Sequence, residues 1–373
     1  MSQSINLLGQ SRSSLERFFE DLGEKKFRAK QLLQWIYHHN GRDFSQITVF
    51  SKALRDHLSS VATLETPKVL ETHRSHDGTV RWLLQSSLED AVEAVLIPDG
   101  KRSTLCISSQ AGCALDCSFC ATGKQGFNGN LTTSDIVGQT YLVKNWLREH
   151  QPDRSLTNVV FMGMGEPLLN FQSTVDASSL FMDDDAFGLS KRRVTISTAG
   201  VVPMIEALIG QSEASLAVSL HAANDSLRDE LVPLNKKHPL EELLAACKNY
   251  LTSLEGRRSV TFEYTLIQDV NDQDRHAKEL IAFTRRIRSK VNLIPFNPFP
   301  RSGYKRPSID RIKYFQSLLL NNGVVATLRM TRGDDINAAC GQLVGNVKDR
   351  TRRKLRHERD YWESIATDIS NLT

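Results

Sequence analysis

The sequence predicts an α/β protein built around a partial (β/α) barrel. Seven short apolar segments, rich in β-branched residues, alternate with mostly amphipathic helical segments from residue 103 onward. This alternation is typical of a parallel sheet covered by helices, as a full barrel, a partial barrel or an open sheet. Polar residues and glycines recur at the carboxyl ends of the predicted strands, the edge where α/β barrels assemble their sites. That second observation favours the partial barrel.

The elements follow in order along the chain. The first sixty residues contain apolar residues at helical spacing, and from about Lys68 the pattern becomes strand-like. The strand candidates of the barrel are STLCISS, TNVVFMGMG, RRVTISTAG, ASLAVSLHA, SVTFEYTLI, KVNLIPFNP and VVATLRMTRG. The main helix candidates between them are SDIVGQTYLVKNWLREH, PLEELLAACKNYL, QDRHAKELIAFTRRI and IDRIKYFQSLLLNNG.

These patterns predict four units. Residues 1–60 form a helical amino-terminal domain, and residues 61–98 form a β-rich connecting segment. Residues 99–335 form the barrel core, and residues 336–373 form a carboxyl-terminal extension that carries Cys340 and a basic helical run from Asn346 to Arg359.

Composition restricts the class of protein. The chain has 373 residues, 40% apolar and 24% charged, with a formal net charge of +4, as in a globular protein. It contains no run of 18 apolar residues, and its start lacks the pattern of a signal peptide, so we expect no membrane association and a cytoplasmic location. Six cysteines in a chain of this size do not form a disulfide scaffold.

Three of the cysteines form a cluster. Cys113, Cys117 and Cys120 follow the first barrel strand in the segment AGCALDCSFCATG. A structural zinc site needs a further cysteine or histidine pair at ordinary spacing, and none is visible nearby. A cubane iron–sulfur cluster held by three thiolates, with one iron open to another ligand, accounts better for the missing fourth residue. Zinc binding and a chance group of buried thiols are the alternatives.

The spacing CxxxCxxC, with Phe119 before the last cysteine, resembles the cluster motif of radical S-adenosylmethionine enzymes. The resemblance implies a [4Fe-4S] cluster whose open iron is chelated by S-adenosylmethionine. The segment MGMGEP resembles the motif that meets the amino group of this cofactor. Residues at four strand ends match the cofactor-binding positions of the superfamily: Gly165 and Glu166, Ser197, Ser219 with Leu220 and His221, and Asn297.

Longer segments resemble one family in particular. SSQAGCALDCSFCATGKQGFNGNL, VVFMGMGEPLLN, GLSKRRVTISTAGVVP, SLHAANDSLRDELVPLNKK and TRGDDINAACGQL are similar to the dual-specificity RNA methyltransferases that modify carbon 2 of adenine. The likeness extends from about residue 14 to about residue 355. It implies two substrates: adenosine 2503 in the peptidyl transferase centre of 23S rRNA, and adenosine 37 of tRNA.

The same resemblance implies the catalytic residues Cys340, Cys106 and Glu93. Cys340 would carry a methyl group as S-methylcysteine, and two molecules of S-adenosylmethionine would be used per turnover. Cys106 would release the methylated RNA by forming a transient disulfide with Cys340, and either Cys106 or Glu93 would take the C2 proton. From the residues alone, Cys106 is a small core residue and Glu93 is a solvent-facing charge on a strand.

We expect the RNA substrates, 23S rRNA and tRNA, to contact basic runs. The runs cover residues 24–30, 191–193, 285–290 and 350–359, although such runs are usually only solvated helix faces. The target base must leave its stack to reach a buried site, so base flipping is expected. The resemblance also implies an electron-donor protein of the flavodoxin type, and we expect a monomer.

Two other functions share part of this pattern. A relative that methylates carbon 8 of the same ribosomal adenine has the cluster and both mechanistic cysteines. A non-catalytic zinc- and RNA-binding protein would explain the cysteine triad but not the strand ends or Cys340. A methylthiotransferase is disfavoured because it would need a second cysteine triad, and only Cys106 lies upstream.

Overall fold

The computed structural model describes residues 4–300, 302–329, 331–336, 338–339, 341–346 and 349–351. Cys340 and the basic run beyond residue 351 therefore lie outside the described residues. The strands are β1 (Ile5–Asn6), β2 (Ala62–Thr63), β3 (Lys68–Arg74), β4 (Val80–Gln85), β5 (Ala91–Asp99), β6 (Arg102–Cys106), β7 (Gln110–Gly112), β8 (Phe127–Asn130), β9 (Ser155–Phe161), β10 (Val194–Thr198), β11 (Ser215–Ser219), β12 (Val260–Leu266), β13 (Ser289–Pro295) and β14 (Ala326–Leu328).

The α-helices occupy most of the intervening chain. They are α1 (Arg12–Asp21), α2 (Phe27–Tyr37), α3 (Lys52–Val61), α4 (Ala121–Gln125), α5 (Thr133–His150), α6 (Phe171–Met182), α7 (Val202–Ala207), α8 (Asp225–Leu231), α9 (Leu240–Ser253), α10 (Asp274–Thr284) and α11 (Ile309–Asn321). Short 3-10 helices cover Phe44–Gln46, Pro167–Asn170, Pro233–Lys236 and Asp334–Ile336. Within the described ranges, no helix combines the length and the apolar composition needed to cross a membrane.

Ten strands form one sheet, in the order β14-β13-β12-β11-β10-β9-β6-β5-β4-β3. The seven strands from β6 to β14 in this order are parallel, and β5, β4 and β3 continue the sheet in antiparallel pairs. The sheet has two ends, β14 and β3, so the barrel is partial and the predicted fold class is confirmed. The strand and helix segments named from the sequence all coincide with observed elements.

The sheet builds its core as the sequence pattern indicates. The central strands β10 to β13 are buried along most of their length, with Val194, Leu216, Phe262 and Leu293 each at most 1% exposed. Several of the helices around the sheet begin at side-chain caps. In α5 the Thr132 hydroxyl accepts the Asp135 N–H at 3.1 Å, and the Asp135 carboxylate accepts the Thr132 N–H at 3.0 Å. This capping box satisfies backbone donors at the start of the helix and places a negative charge at the positive end of its dipole.

The amino-terminal helices are attached to the core by an ion-pair cluster. The Arg12 guanidinium, at the start of α1, lies 2.7 Å from both Asp183 and Asp185, which follow α6. Gln34 of α2 donates to Asp185 at 2.7 Å. Arg12 is about one-third exposed and the two aspartates are less than one-fifth exposed, so solvent screens the cluster only in part.

We expect Arg12→Met to lower the free energy of unfolding by about 1 kcal/mol, because it leaves two neighbouring aspartates without their shared cation. The matched control is Lys26→Met, which removes the exposed pair between Lys26 and Glu20 at 3.3 Å and should have almost no effect. Urea unfolding at low and high salt measures the free energy of unfolding of both variants. Equal effects of the two substitutions would contradict an attachment through Arg12.

Candidate active site

The three clustered cysteines lie in one loop between β7 and α4. Cys113 directly follows β7, and Cys120 is the N-cap residue of α4. The Cys113 N–H donates to the Gly126 carbonyl at 2.7 Å, and the Cys120 N–H donates to the Cys117 carbonyl at 3.2 Å. The loop conformation is therefore fixed by its own backbone.

Two glycines allow this loop to close tightly. Gly112 has φ +79°, in the left-handed region, and a side chain there would collide with the Gly126 carbonyl. At Gly123, in α4, a Cβ would lie 3.1 Å from the Leu115 carbonyl oxygen and 3.3 Å from the Cys117 backbone. Glycine is required at both positions because the backbone passes so close to itself.

The three cysteines and Phe119 form one wall of a cavity. The cavity contains about 990 Å³ of empty space, counted to its open mouth. The ends of six parallel strands supply the opposite wall, with residues Phe161, Met162, Gly163, Gly165, Glu166, Ser197, Thr198, Ala199, Ser219, His221, Glu263, Thr265, Ile294, Phe296 and Arg329. The polar strand ends noted in the sequence thus lie around the cysteine loop.

Most of the predicted cofactor-binding residues line this cavity, namely Gly165, Glu166, Ser197, Ser219 and His221. Leu220 does not, because its side chain is fully buried in the hydrophobic core. Asn297 lines an adjoining cavity, which shares Ile294 and Arg329 with the first. The Asn297 side-chain oxygen accepts from Arg306 at 2.5 Å and from Thr331 at 3.2 Å.

The thiol groups fit a site that holds positive charge. Burial raises the pKa of Cys117 well above its ordinary value, and the neighbouring Cys120 and Cys113 raise it further by repulsion. Three thiolates this close together need a cationic partner. In the described part of the chain, no group of three His, Cys, Asp or Glu side chains could hold a metal ion as the side chains stand. In an iron–sulfur cubane each thiolate binds a different iron, so the three sulfurs need not converge on one point.

Glu166 is fixed at the base of the cavity and is only 3% exposed. Its carboxylate accepts the Ala199 N–H at 2.7 Å and the Leu168 N–H at 3.0 Å. Its own N–H donates to Gln110 at 2.8 Å. Burial raises the pKa of Glu166 to about 7, against these hydrogen bonds, which lower it. The neighbouring Gly165 has φ +100°, and a Cβ there would lie 2.5 Å from the Gln110 Cβ.

His221 has an unusual conformation and a fixed ring. Its φ is +56°, and its Nδ1 accepts the Thr265 N–H at 3.0 Å. Its ring centre lies 4.3 Å from that of Phe119, so the cysteine loop and the end of β11 are in direct contact. Burial lowers the pKa of His221 to about 3, which keeps the imidazole neutral at physiological pH.

Residues 341–346, here called the C-terminal strap, lie against the cysteine loop and β5. Gly341 and Leu343 line the cavity. The strap accepts hydrogen bonds from α4: the Ala121 N–H donates to Gly341 at 2.8 Å and the Thr122 hydroxyl donates to Leu343 at 2.7 Å. The Ala91 N–H of β5 donates to Asn346 at 2.9 Å. Residue 341, next to Cys340 in the chain, is therefore held beside α4.

Glu93 is buried, which contradicts the interpretation as a solvent-facing charge. It is 2% exposed, and its Oε1 accepts from Arg81 at 2.7 Å. Its Oε2 accepts the strap N–H of Val344 at 3.2 Å. Burial raises the pKa of Glu93, and the Arg81 charge opposes the shift. Alternation along β5 could not reveal this burial, because both faces of that strand are covered.

Cys106 lies at the end of β6 on the same face of the sheet as Glu93. It is 5% exposed and is paired in register with Val95 of β5. Residues directly opposite each other share a face, and so do residues two apart on one strand. Glu93, Val95 and Cys106 therefore project to one side, which is also the side of Glu93 that meets the strap.

The sequence analysis did not identify several cavity residues. Glu263 and Thr265 line the cavity from β12, and Arg329 lines it just after β14. Glu263 is 5% exposed and accepts from Asn292 at 2.9 Å. In the sequence, Glu263 was visible only as a charged residue within a mostly apolar strand segment. That position alone does not reveal which side of the sheet the side chain faces.

Glu166 should make stability depend on pH. Its folded pKa, about 7, exceeds the ordinary value of 4.5, so folding favours the protonated form. The resulting stabilisation is complete below pH 4.5 and is lost as the pH rises through 7, about 3 kcal/mol in all. Urea unfolding between pH 5 and 8, without S-adenosylmethionine, should show the stability of the parent protein falling relative to that of Glu166→Gln as the pH rises. The difference between the two proteins isolates Glu166, because the lowered pKa of His221 makes stability rise with pH up to about 6.5 in both. The control Glu241→Gln, at an exposed site, should keep the parental slope. Parallel profiles for all three proteins would contradict the assignment.

Two family models match the chain. Residues 5–64 match the ribosomal RNA large subunit methyltransferase N-terminal domain, and residues 107–281 match the radical SAM superfamily. The second range contains the three-cysteine loop and the strand ends from β9 to β12.

Full-length relatives agree with these matches. The chain is 54% identical to the dual-specificity RNA methyltransferase RlmN of Marinobacter nauticus, over 95% of this chain and 97% of that protein. It is also 54% identical to the protein of the same name from Pseudomonas putida, over 95% of this chain and 93% of that protein. The crystal structure of a radical SAM methyltransferase from Sphaerobacter thermophilus superposes with a TM-score of 0.84. The two sequences are 40% identical. The superposition covers 91% of this chain and 99% of the Sphaerobacter thermophilus chain.

These comparisons confirm the resemblance inferred from the motifs, and the non-catalytic zinc-binding alternative finds no support in them. The cofactors of the superfamily are a [4Fe-4S] cluster and S-adenosylmethionine, and the cavity with its three thiols fits this set. The chain belongs to the RlmN family of dual-specificity RNA methyltransferases, within the radical S-adenosylmethionine superfamily.

Proposed function

We propose that this enzyme methylates carbon 2 of adenine in 23S rRNA, at adenosine 2503, and in tRNA, at adenosine 37. Relatives that share about half of its residues over the whole chain are named as dual-specificity RNA methyltransferases. Adenine C2 lies between two ring nitrogens and is electron-poor, so an electrophilic methyl donor does not react with it directly. When bound, the cluster and S-adenosylmethionine supply the methyl group and the one-electron chemistry that activates it. Two molecules of S-adenosylmethionine are used per turnover.

The observation that carries the proposal is the common face of Cys106, Glu93 and the C-terminal strap, beside the three-cysteine cavity. Cys340 precedes the strap and is the proposed carrier of the methyl group. The methyl carbon loses one hydrogen atom and, still bonded to the Cys340 sulfur, becomes bonded to adenine C2. Cys106 thiolate then attacks the Cys340 sulfur and forms a disulfide, while the sulfur–carbon bond breaks and the carbon keeps its electron pair and takes a proton to become the methyl group. Both cysteines are oxidised in this step, so an external reductant must restore them.

Glu93 is the proposed acid/base residue for the C2 proton, with Cys106 as the other candidate. Burial raises its pKa, which makes its carboxylate a stronger base. Both carboxylate oxygens accept hydrogen bonds, from Arg81 and from Val344 of the strap.

The basic runs differ in how well they are placed to contact RNA. Residues 191–193 and 285–290 lie at the amino ends of β10 and β13, the edge opposite to the cavity. The run at residues 24–30 lies at the start of α2, within the match to the rRNA methyltransferase N-terminal domain. We propose that this amino-terminal unit, residues 1–60, binds RNA phosphates. A flipped base would then enter the cavity.

The remaining partners are also proposals. A monomer is the proposed oligomeric state. The disulfide cycle needs a compartment that keeps thiols reduced, which supports a cytoplasmic enzyme. A flavodoxin-type protein is the proposed electron donor. The division into residues 61–98, 99–335 and 336–373 is likewise kept as a proposal for the rest of the chain.

Product mapping tests the reaction. The enzyme with its cluster, incubated with 23S rRNA and tRNA that lack the modification, should yield 2-methyladenosine, identified by mass spectrometry of digested RNA. A product methylated on carbon 8 would contradict the assignment, and so would absence of methylation on both RNAs.

A substitution of Cys106 tests the release step. Cys106→Ala should form the bond between protein and RNA but fail to break it, giving an adduct that survives denaturing electrophoresis and disappears with ribonuclease. The matched control is Cys247→Ala, because Cys247 is a fully buried thiol in the apolar core of α9. This control should turn over without an adduct. Normal release of methylated RNA by Cys106→Ala would contradict the role of Cys106.

A further inference from the structure

A fully buried arginine lies behind the cavity, and neither the motifs nor the proposed reaction uses it. Arg228, in α8, is 0% exposed. We propose that Arg228 is a positioning residue with two effects. It joins the strand ends that carry the cofactor-binding residues, and it supplies a fixed positive charge behind the cluster-binding cysteines.

The guanidinium binds the backbone at the ends of two neighbouring strands. Its Nη2 donates to the Ala199 carbonyl at 2.6 Å, just past β10, and to the Ser219 carbonyl at 3.3 Å, at the end of β11. Its Nε donates to the Leu220 carbonyl at 3.2 Å. Ala199 and Ser219 both line the cavity. The planar guanidinium of Arg228 therefore sets the separation of two segments that form the wall of the cavity.

The same connection continues to a third strand end. The Ala199 peptide accepts from Arg228 through its carbonyl and donates to Glu166 through its N–H at 2.7 Å. Glu166 follows β9, so Arg228, Ala199 and Glu166 connect the ends of β9, β10 and β11 in series. Gly200 leaves room for the guanidinium, since a Cβ there would lie 3.3 Å from the Arg228 Nη2.

The charge of Arg228 has no direct carboxylate partner. Among the described residues no acidic group forms an ion pair with it within 4.0 Å, and its Nη1 donates instead to the Asn235 amide oxygen at 2.7 Å. Asn235 donates in turn to Asp225 at 2.9 Å and Asp229 at 2.7 Å. Burial lowers the pKa of Arg228 to about 10, so it remains charged at neutral pH. A buried cation is costly unless negative charge lies nearby.

Asp225 and Asp229 supply part of that negative charge through Asn235, and the cysteine loop is a second source. Its Ser118 N–H donates to the Leu231 carbonyl, at the end of α8, at 3.1 Å. Cys117 packs against the apolar cluster that contains Leu231. Of the anionic groups around Arg228, the Cys117 thiolate favours its charged form most. Thiolates that bind a cluster keep their negative charge, and the potential of a cluster depends on the charge around it. Removal of the arginine charge should therefore make the cluster harder to reduce.

The test compares Arg228 with Arg258, which binds the opposite ends of the same two strands. The Arg258 Nη2 donates to the carbonyl of Glu213, before β11, at 2.8 Å, and to that of Lys191, before β10, at 3.3 Å. Each arginine is changed to lysine, which keeps the charge but not the planar fork, and to glutamine, which is uncharged. The measurements are S-adenosylmethionine affinity, iron content and the cluster midpoint potential by electron paramagnetic resonance, on full-length protein with its cluster.

Arg228→Lys should weaken S-adenosylmethionine binding about tenfold, as expected when two or three buried carbonyls lose a donor, and should leave the potential unchanged. Arg228→Gln should weaken binding at least as much and shift the potential to more negative values. Both Arg258 variants should match the parent in affinity and potential.

Parental S-adenosylmethionine affinity in Arg228→Lys would overturn the positioning role. A parental potential in Arg228→Gln would overturn the charge effect. Equal losses in the Arg258 variants would show that both arginines act only on sheet stability. If Arg228→Gln fails to retain iron while Arg228→Lys retains it, charge behind the thiolates is required to hold the cluster, which supports the proposal. If both Arg228 variants fail to retain iron while their circular dichroism remains parental, the shared loss supports the positioning role. If both Arg228 variants fail to fold, the arginine acts on folding and the proposal is overturned.

Discussion

Three thiol groups held side by side in one loop impose the constraint on which the rest of this structure depends. Cys113, Cys117 and Cys120 repel one another when ionised, so the fold must hold them together before any metal neutralises them. It does so with backbone hydrogen bonds inside the loop, with contact between Phe119 and His221, and with the strap against α4. The loop is thus anchored from three directions.

The parallel strands supply the other half of the site because their carboxyl ends meet at one edge. Five of the six strand ends contribute small or polar residues there, and the end of β13 contributes the apolar Ile294 and Phe296. The site is consequently shared among many segments that are distant in sequence. Backbone groups connect these segments: the Ala199 peptide alone contacts both Glu166 and Arg228.

The sequence was sufficient to predict the elements and the residues with local signatures. Strand and helix periodicity predicted the sheet and its covering helices, and the cysteine spacing predicted the loop that holds Cys113, Cys117 and Cys120. Contacts between segments that are distant in sequence could not be predicted from it. Glu93 was interpreted from the residues as solvent-facing, yet an arginine on the next strand and a segment some 250 residues away enclose it. Arg228 resembles an ordinary helix-surface charge, and only the fold shows that α8 turns it inward.

The C-terminal strap also has a consequence for the order of assembly. Its residues are synthesised after every strand that lines the cavity. The hydrogen bonds that Ala91, Ala121 and Thr122 donate to the strap can therefore form only after the strands and the cysteine loop are complete in the chain.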